Sequence, residues 1–385
     1  MQKSYKVFNS AEFADRNAEF ERVQAILQER NRGGVIFEGE RGSGKTTLLF
    51  ELYRRFHEQI EMKPFLISLF PYSAPEFESN KNIWINSERM FQKEDIPNLL
   101  NRITRYLEID FIETEDRDFQ KDYFARGLAY RASKAVPILL VDSIYECPDD
   151  VRTELEKYIL TPILASERVF IVLSGRGKRP IWSRPELQTA EIIELHPLTE
   201  IFVKEQLEKM KSTRAAEFQQ IAELSGGYPL IVRILGESDK ALITALNDAI
   251  DIIIQDTLPE NEREGKRYLE TRSQIEKLSL VDIPFRIPDV EDYLYPNDPE
   301  QRAQANQLFN VLLASRILRY EGKGYQLNQS IVHPVRKWLA LKQHSEYRNN
   351  LDQLKRVSQK LQEEYPSAST WYQRMVPTDL ITAQH

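Results

Sequence analysis

The residues most able to do chemistry are Gly39, Glu40, Arg41, Gly42, Ser43, Gly44, Lys45 and Thr46, which fit the spacing G-x-x-x-x-G-K-[ST]. Glycines at those places let the backbone turn tightly enough for several N–H groups to converge on phosphate oxygens. A helix that opens at Thr46 adds the positive end of its dipole. Lys45 supplies a mobile cation for the β- and γ-phosphates, and the Thr46 hydroxyl supplies a ligand for Mg²⁺. The apolar run Val136–Val141 ends on Asp142, a carboxylate placed to join Thr46 in that Mg²⁺ shell. Ser143 follows, where an acid that polarises water is common, so Glu146, four residues past Asp142, is the available base. Slow hydrolysis is the expected consequence. Val169–Leu173 runs into Ser174, Gly175 and Arg176, and a cation at the end of that run can sense a γ-phosphate. The expected reacting set is therefore Lys45, Asp142, Glu146 and Arg176, with Thr46 and Asp142 on the metal.

Such residues need strand ends to hold them. Short apolar runs recur at Val35–Glu38, Pro64–Phe70, Pro137–Val141, Val169–Leu173 and Ile192–Leu195, without polar alternation, as suits strands buried on both faces. Helical spacing fills the intervals at Thr46–Gln59, Ile96–Leu107 and Val151–Ile163. Strands alternating with helices predict an α/β fold, a parallel sheet with helices on both faces. After Pro197 only helices are expected, at Thr199–Met210, Ala215–Leu224, Pro229–Leu235 and Ala241–Ile254. The polar stretch Pro259–Lys266 reads as a linker. Beyond it come helices Tyr268–Leu280, Asp289–Leu294 and Arg302–Leu318 and a hairpin whose turn is Gly322-Lys323-Gly324, the composition of a winged helix. The expected division is 1–197 for the α/β domain, 198–258 for a helical lid, 259–341 for the winged helix and 342–385 for a tail with one clear helix, Leu351–Glu364.

Composition bounds the rest. With 385 residues, 41% of them hydrophobic, the chain has room for more than one core. A formal charge of −7 argues against binding by generic phosphate attraction, without excluding a local basic patch. A single cysteine, Cys147, excludes an internal disulfide framework and fits a reducing compartment. No apolar stretch approaches the roughly 20 residues of a membrane span, and the first residues lack the apolar core of a secretion signal, so a cytoplasmic location is expected.

Taken together, the motifs resemble the STAND branch of the AAA+-related ATPases, which includes the NB-ARC and NACHT proteins, over about residues 11–341. Phe13-Ala14-Asp15-Arg16-Asn17-Ala18-Glu19 resembles the opening motif F-x-G-R-x-x-E, whose backbone lies against the adenine, with Asp15 in place of the usual glycine. Gly42–Leu49, including Thr46 and Thr47, is similar to the family's phosphate loop. Asp142–Glu146 resembles the NACHT spacing of acids, with Tyr145 departing at the third place. Leu173–Arg176 looks like the sensor segment, with Gly175 where a second hydroxyl residue is often found. Leu224–Leu230 resembles the G-x-P element, whose proline, here Pro229, packs on adenine. Val332–Arg336 resembles the segment whose histidine, here His333, reaches the β-phosphate of ADP; Pro334 stands where the best-known version has an acid.

The resemblance implies ATP or ADP with Mg²⁺ as cofactors. It also implies a nucleotide-controlled switch that forms a homo-oligomer in the ATP state. A protein partner would supply an effector or sensor, or the tail would be the interaction element. Trp371 and Tyr372 near Met375 would then be either an anchor for that partner or a cover for the core. A DNA-acting ATPase of replication-initiator or transposition-regulator type is the alternative. Arg302, Arg316, Arg319 and Lys323 would face the duplex there, against the nearby acids Asp289, Glu291, Asp292, Asp298 and Glu300. A metabolic kinase is disfavoured by the helical modules that follow the sheet.

Overall fold

A computed structural model describes residues 13–30, 33–71, 80–85, 89–109, 116–132, 134–165, 169–176, 179–296, 299–320, 322–342 and 344–377. Six parallel strands form one sheet: β1 (Gly33–Glu38), β2 (Met62–Ser68), β3 (Ile83–Trp84), β4 (Val136–Asp142), β5 (Phe170–Gly175) and β6 (Glu191–Glu194), in the spatial order β3-β2-β4-β5-β1-β6. The strand of the glycine-rich turn, β1, thus lies beside β5, and β5 lies beside β4. That order brings the ends of three separate apolar runs together at the carboxyl end of the sheet, where parallel α/β sheets bind ligands.

Side chains alternate strictly between two cores, as strands covered on both faces require. Val35, Phe37, Leu66, Ile138, Leu140, Phe170 and Val172 join Leu48, Leu49, Leu52 and Phe56 of the helix Lys45–His57 and Val23 and Ile26 of the helix Asn17–Arg30. Ile36, Phe65, Ile67, Leu139, Val141, Ile171 and Leu173 face Leu99, Ile103, Phe124, Leu128 and Ile159 on the other side. The glycine-rich turn is therefore anchored in the first core through Leu48, Leu49 and Leu52.

Three details depart from the sequence reading. The edge strand β3 has only two residues, too short to leave a period. The helix Arg117–Ala132 buries just Phe124, Leu128 and Ala132, a stripe one residue wide on an otherwise polar surface. The helix expected at Val151–Ile163 is interrupted by a π-turn at Glu156–Leu160. The carboxylate of Glu156 there accepts the backbone N–H groups of Ser183 at 2.7 Å and Arg184 at 2.8 Å, which ties the π-turn to the chain just ahead of the helix Pro185–Gln188.

The chain divides into two compact units, Met1–His196 with Glu208–Met210, and Pro197–Leu207 with Lys211–His385. The second holds helices Phe218–Ser225, Pro229–Glu237, Leu242–Thr257, Gly265–Leu278, Ile287–Leu294 and Pro299–Ala314, then the antiparallel pair β7 (Leu318–Tyr320) and β8 (Tyr325–Leu327), then helices Gln329–Lys342 and His344–Glu364. Tyr325 also exchanges backbone hydrogen bonds with Phe285, at 2.9 and 2.7 Å, a single antiparallel bridge that gives β8 a second partner besides β7. Across the stretch expected as a linker, Arg272 reaches back to donate to Asp251 and, at 2.7 Å, to Asn247. Tyr268 donates to Asp251 as well. The tail belongs to this unit's core. Tyr372 and Met375 are buried, Ser358 donates to the Tyr372 carbonyl at 2.7 Å, and the Asp282 N–H donates to the Met375 carbonyl at 3.0 Å. Of the two roles open to those residues, covering the core is the one the structure supports for Tyr372 and Met375, while Trp371 is half-buried.

Candidate functional site

The turn between β1 and the helix Lys45–His57 is shaped by its glycines. Gly42 and Gly44 have φ of +78° and +94°, in the left-handed region that a side chain disfavours. Gly39 is required for a different reason: a Cβ there would lie 2.8 Å from Ser43 Oγ and 3.1 Å from the Leu195 carbonyl. The helix begins with no side-chain cap and no acid in its first turn. Its first N–H groups and dipole are thus left for an external anion. Arg41, Thr46 and Thr47 are half-buried around the same turn.

Lys45 folds back over this turn, donating to the carbonyls of Gly39 and Glu40, both at 2.8 Å. Burial pushes its ammonium down to about 8, partly offset by Glu146 and opposed again by Arg176. The Thr46 hydroxyl donates to Asp142, at 3.1 and 3.0 Å to its two oxygens. Asp142 is buried and also accepts the hydroxyls of Ser174 at 2.5 Å and Ser143 at 3.2 Å. Burial raises its pKa, and the hydroxyls oppose that. Ser174 was not singled out by sequence reasoning as a partner of this carboxylate. The signal lay in β4 and β5 being neighbours, since a residue at the end of one reaches the end of the other.

Thr46 and Asp142 fit Mg²⁺. Adjacent ligands of an octahedral Mg²⁺ at 2.0–2.1 Å lie about 2.9 Å apart, close to the separation of these oxygens. Among the described residues no group of three or more His, Cys, Asp or Glu gathers at one place. The rest of such a shell would be phosphate and water, as this ion prefers.

Glu146 and Arg176 meet, with Arg176 Nε 3.2 Å from Glu146 Oε1 and both side chains nearly buried. Arg16 is a buried tie rather than a surface cation. Its guanidinium donates to the Ser43 carbonyl in the turn at 2.9 Å and to the His196 carbonyl at 2.7 Å. Asp15, standing where the resembled motif has glycine, adopts φ +58°, so the left-handed backbone is present without the glycine. Phe13 packs half-buried on the first core.

Pro229 and His333 both belong to the second unit. Pro229 opens the helix Pro229–Glu237 directly after the pair Gly226-Gly227. A Cβ on Gly226 would lie 2.8 Å from the His333 ring, and one on Gly227 would lie 2.1 Å from the Leu198 carbonyl. His333 Nε2 donates to the Glu223 carbonyl at 2.7 Å, which leaves Nδ1 as the acceptor of the neutral ring. Burial holds the ring's pKa below its ordinary value. Pro334 lies inside the helix Gln329–Lys342 and removes one helical donor there.

No protein-family model matches the sequence, and no curated protein does. Solved structures do. A Walker-type ATPase of Pyrococcus abyssi is 17% identical, with 84% of this chain and 96% of that one covered and a TM-score of 0.53. A STAND protein with a tetratricopeptide repeat sensor from Pyrococcus horikoshii is 17% identical over 91% of this chain and 45% of that one, with a TM-score of 0.36. An ORC1 protein of Aeropyrum pernix, solved with DNA, is 14% identical over 88% and 94%, with a TM-score of 0.43. The likeness to the first is a likeness of fold. No helix among the described residues is long and apolar enough to cross a membrane. The chain has the fold of a P-loop NTPase, a parallel sheet with its phosphate-cradling turn at Gly39–Thr46 followed by a helical C-terminal region.

Proposed function

We propose that the protein binds ATP or ADP with Mg²⁺ and acts as a STAND-type switch that hydrolyses slowly. One observation carries this reading: Thr46, Asp142 and Ser174 are joined by hydrogen bonds at an uncapped helix N-terminus, with Lys45 folded over the turn that leads into it, the geometry that a nucleoside triphosphate and its cation need. Backbone N–H groups of Gly42–Thr46 hold phosphate oxygens, and Lys45 leaves its two carbonyls to reach the β- and γ-phosphates. Thr46 and Asp142 hold the cation, which neutralises phosphate charge when bound. Glu146 accepts a proton from the attacking water. Arg176 holds Glu146 as an ion pair until a γ-phosphate draws the guanidinium away, so base and sensor become active together. In the same proposal Phe13 and Arg16 serve the adenine end. The chain is organised as an α/β domain (1–197), a lid (198–258), a winged helix (259–341) and a tail (342–385), and oligomerises in the ATP state.

The test is the nucleotide released from purified protein, with molecular mass measured before and after ATP. Co-purified ADP and an ATP-dependent rise in mass support the switch. A monomer indifferent to both nucleotides sinks it. Three helices followed by the β7–β8 hairpin keep a DNA-acting ATPase as the second reading. Steeply salt-dependent binding to duplex DNA would favour it, and no binding at low salt would remove it.

A further inference from the structure

Two departures from the resembled motifs, Tyr145 and Gly175, lie 30 positions apart in sequence and touch in space. The Tyr145 ring lies across Gly175: a Cβ on that glycine would be 2.3 Å from Tyr145 Cγ. Gly175 has no positive φ, so its backbone is ordinary strand and does not itself demand glycine. The ring does. The Tyr145 side chain is almost fully buried, with Trp182 6.5 Å away, centroid to centroid. Its hydroxyl donates to Glu38 Oε1 at 2.7 Å, and Arg179 Nε donates to the same oxygen at 2.9 Å.

Each residue that Tyr145 links is followed at once by one that the site uses. Glu38 precedes Gly39 and the phosphate turn, Tyr145 precedes Glu146, and Gly175 precedes Arg176. The ring and hydroxyl therefore tie together the ends of β1, β4 and β5 where those ends leave the sheet. Backbone bonds hold part of the turn after β4, from the Ile144 N–H to the Ser174 carbonyl at 2.9 Å and from the Glu146 N–H to the Ser143 carbonyl at 3.1 Å; Ser143 within it stands at φ +62°, a conformation that a non-glycine residue holds only when its surroundings impose it.

The structure assigns Tyr145 as a positioning residue, a strut matched to Gly175 that sets the Glu146–Arg176 pair against the start of the phosphate turn. Resting on the reading of this site as a nucleotide-hydrolysing one, it goes further in naming what sets the geometry of base and sensor.

The chain's single cysteine provides a direct readout. Cys147 is buried in the same turn, its Sγ 3.1 Å from the Ile144 carbonyl, so its reaction with a thiol reagent reports opening of that turn without any nucleotide. Tyr145→Phe keeps the ring and removes the tie to Glu38. It is expected to speed Cys147 labelling about tenfold, and to lower kcat for ATP about tenfold while KM changes less than about twofold, since an interaction that orients the base acts on chemistry rather than on binding. Gly175→Ala is expected to lower kcat and speed labelling in the natural background and to have little further effect on top of Tyr145→Ala, where the opposing ring is gone. Labelling and kcat unchanged in Tyr145→Phe, or Gly175→Ala equally harmful with and without the ring, would overturn the assignment. A natural protein that never turns over ATP, with labelling still accelerated in Tyr145→Phe, would leave the strut standing and remove the hydrolytic reading.

Discussion

Lys45 has to change its electrostatic surroundings when a polyphosphate binds, and that change is measurable as protons. In this structure its ammonium is buried, held by two backbone carbonyls, with a pKa of about 8. Phosphate oxygens beside it favour the charged form and return the pKa to 10 or above. At about pH 9 only about one in eleven Lys45 side chains is charged before binding and nearly all are charged after, so binding takes up close to one proton. The same linkage weakens affinity about tenfold between about pH 7 and pH 9, equivalent to about 1.4 kcal/mol. The nucleotide's own terminal phosphate, with a pKa near 6, is mostly ionised at about pH 7 and fully so at about pH 9, and adds little. Calorimetry at about pH 9 in buffers of different ionisation enthalpy gives the proton count. Lys45→Arg keeps the charge at every accessible pH and should abolish the uptake. Uptake that is absent in the natural protein, or unchanged in Lys45→Arg, refutes the reasoning.

The fold responds in the opposite sense. A lysine with a lowered pKa gives up its proton earlier in the folded state than in the unfolded one, so the unfolded chain binds more protons between about pH 8 and 10.5. Stability without nucleotide should rise through that window, by up to about 3 kcal/mol from this group. A flat profile would mean that Lys45 is more solvated than its burial implies.

Three other predictions use different parts of the molecule. Glu146→Gln should lower turnover about a hundredfold or more while the affinity for Mg²⁺ and nucleotide stays within a few-fold, as measured by single-turnover assay and equilibrium binding. Gly227→Ala should destabilise the second unit by about 3 kcal/mol or more in urea titration, because φ is +75° and the new Cβ would meet a backbone carbonyl that cannot yield. His333, whose pKa is lowered by burial, should make that unit lose stability as pH falls through the ordinary histidine value, since the unfolded chain takes the proton first; His333→Gln keeps a donor for the Glu223 carbonyl and should flatten that dependence.

The sheet and its phosphate turn were legible because their signals are local. Gly39–Thr46 carries its chemistry in eight consecutive positions, and fully buried strands announce themselves as unbroken apolar runs. Contacts between strand ends were not legible. Nothing in Leu173-Ser174-Gly175-Arg176 read alone says that Ser174 will hydrogen-bond Asp142, or that Gly175 leaves room for an aromatic ring from the neighbouring strand's turn. Those facts follow only once β5 is known to lie between β1 and β4. The helix Arg117–Ala132 was missed for a related reason, since three buried residues in sixteen leave a period too faint to separate from a loop.

These hidden contacts share a direction. Lys45 is held by the turn's own carbonyls, Asp142 accepts three hydroxyls, and Glu146 is paired with Arg176. Every charged group expected to meet phosphate, cation or water already has an internal partner. Binding must therefore exchange partners, and each exchange gives back part of the energy that the new contact supplies. A site built for rapid turnover gains by having its groups preorganised toward the transition state. Here the base is preorganised toward an arginine, and its release waits on a phosphate that competes for that arginine. Such an arrangement favours a slow, gated site over an engine. The contrast between Tyr145→Phe and Glu146→Gln can separate the two, because loosening the strut should weaken the gate as well as the base, raising the rates of nucleotide binding and release together, so that exchange quickens while affinity holds and kcat falls. Glu146→Gln should lower kcat alone. Equal exchange rates in the two variants would show that the internal partners do not gate the site.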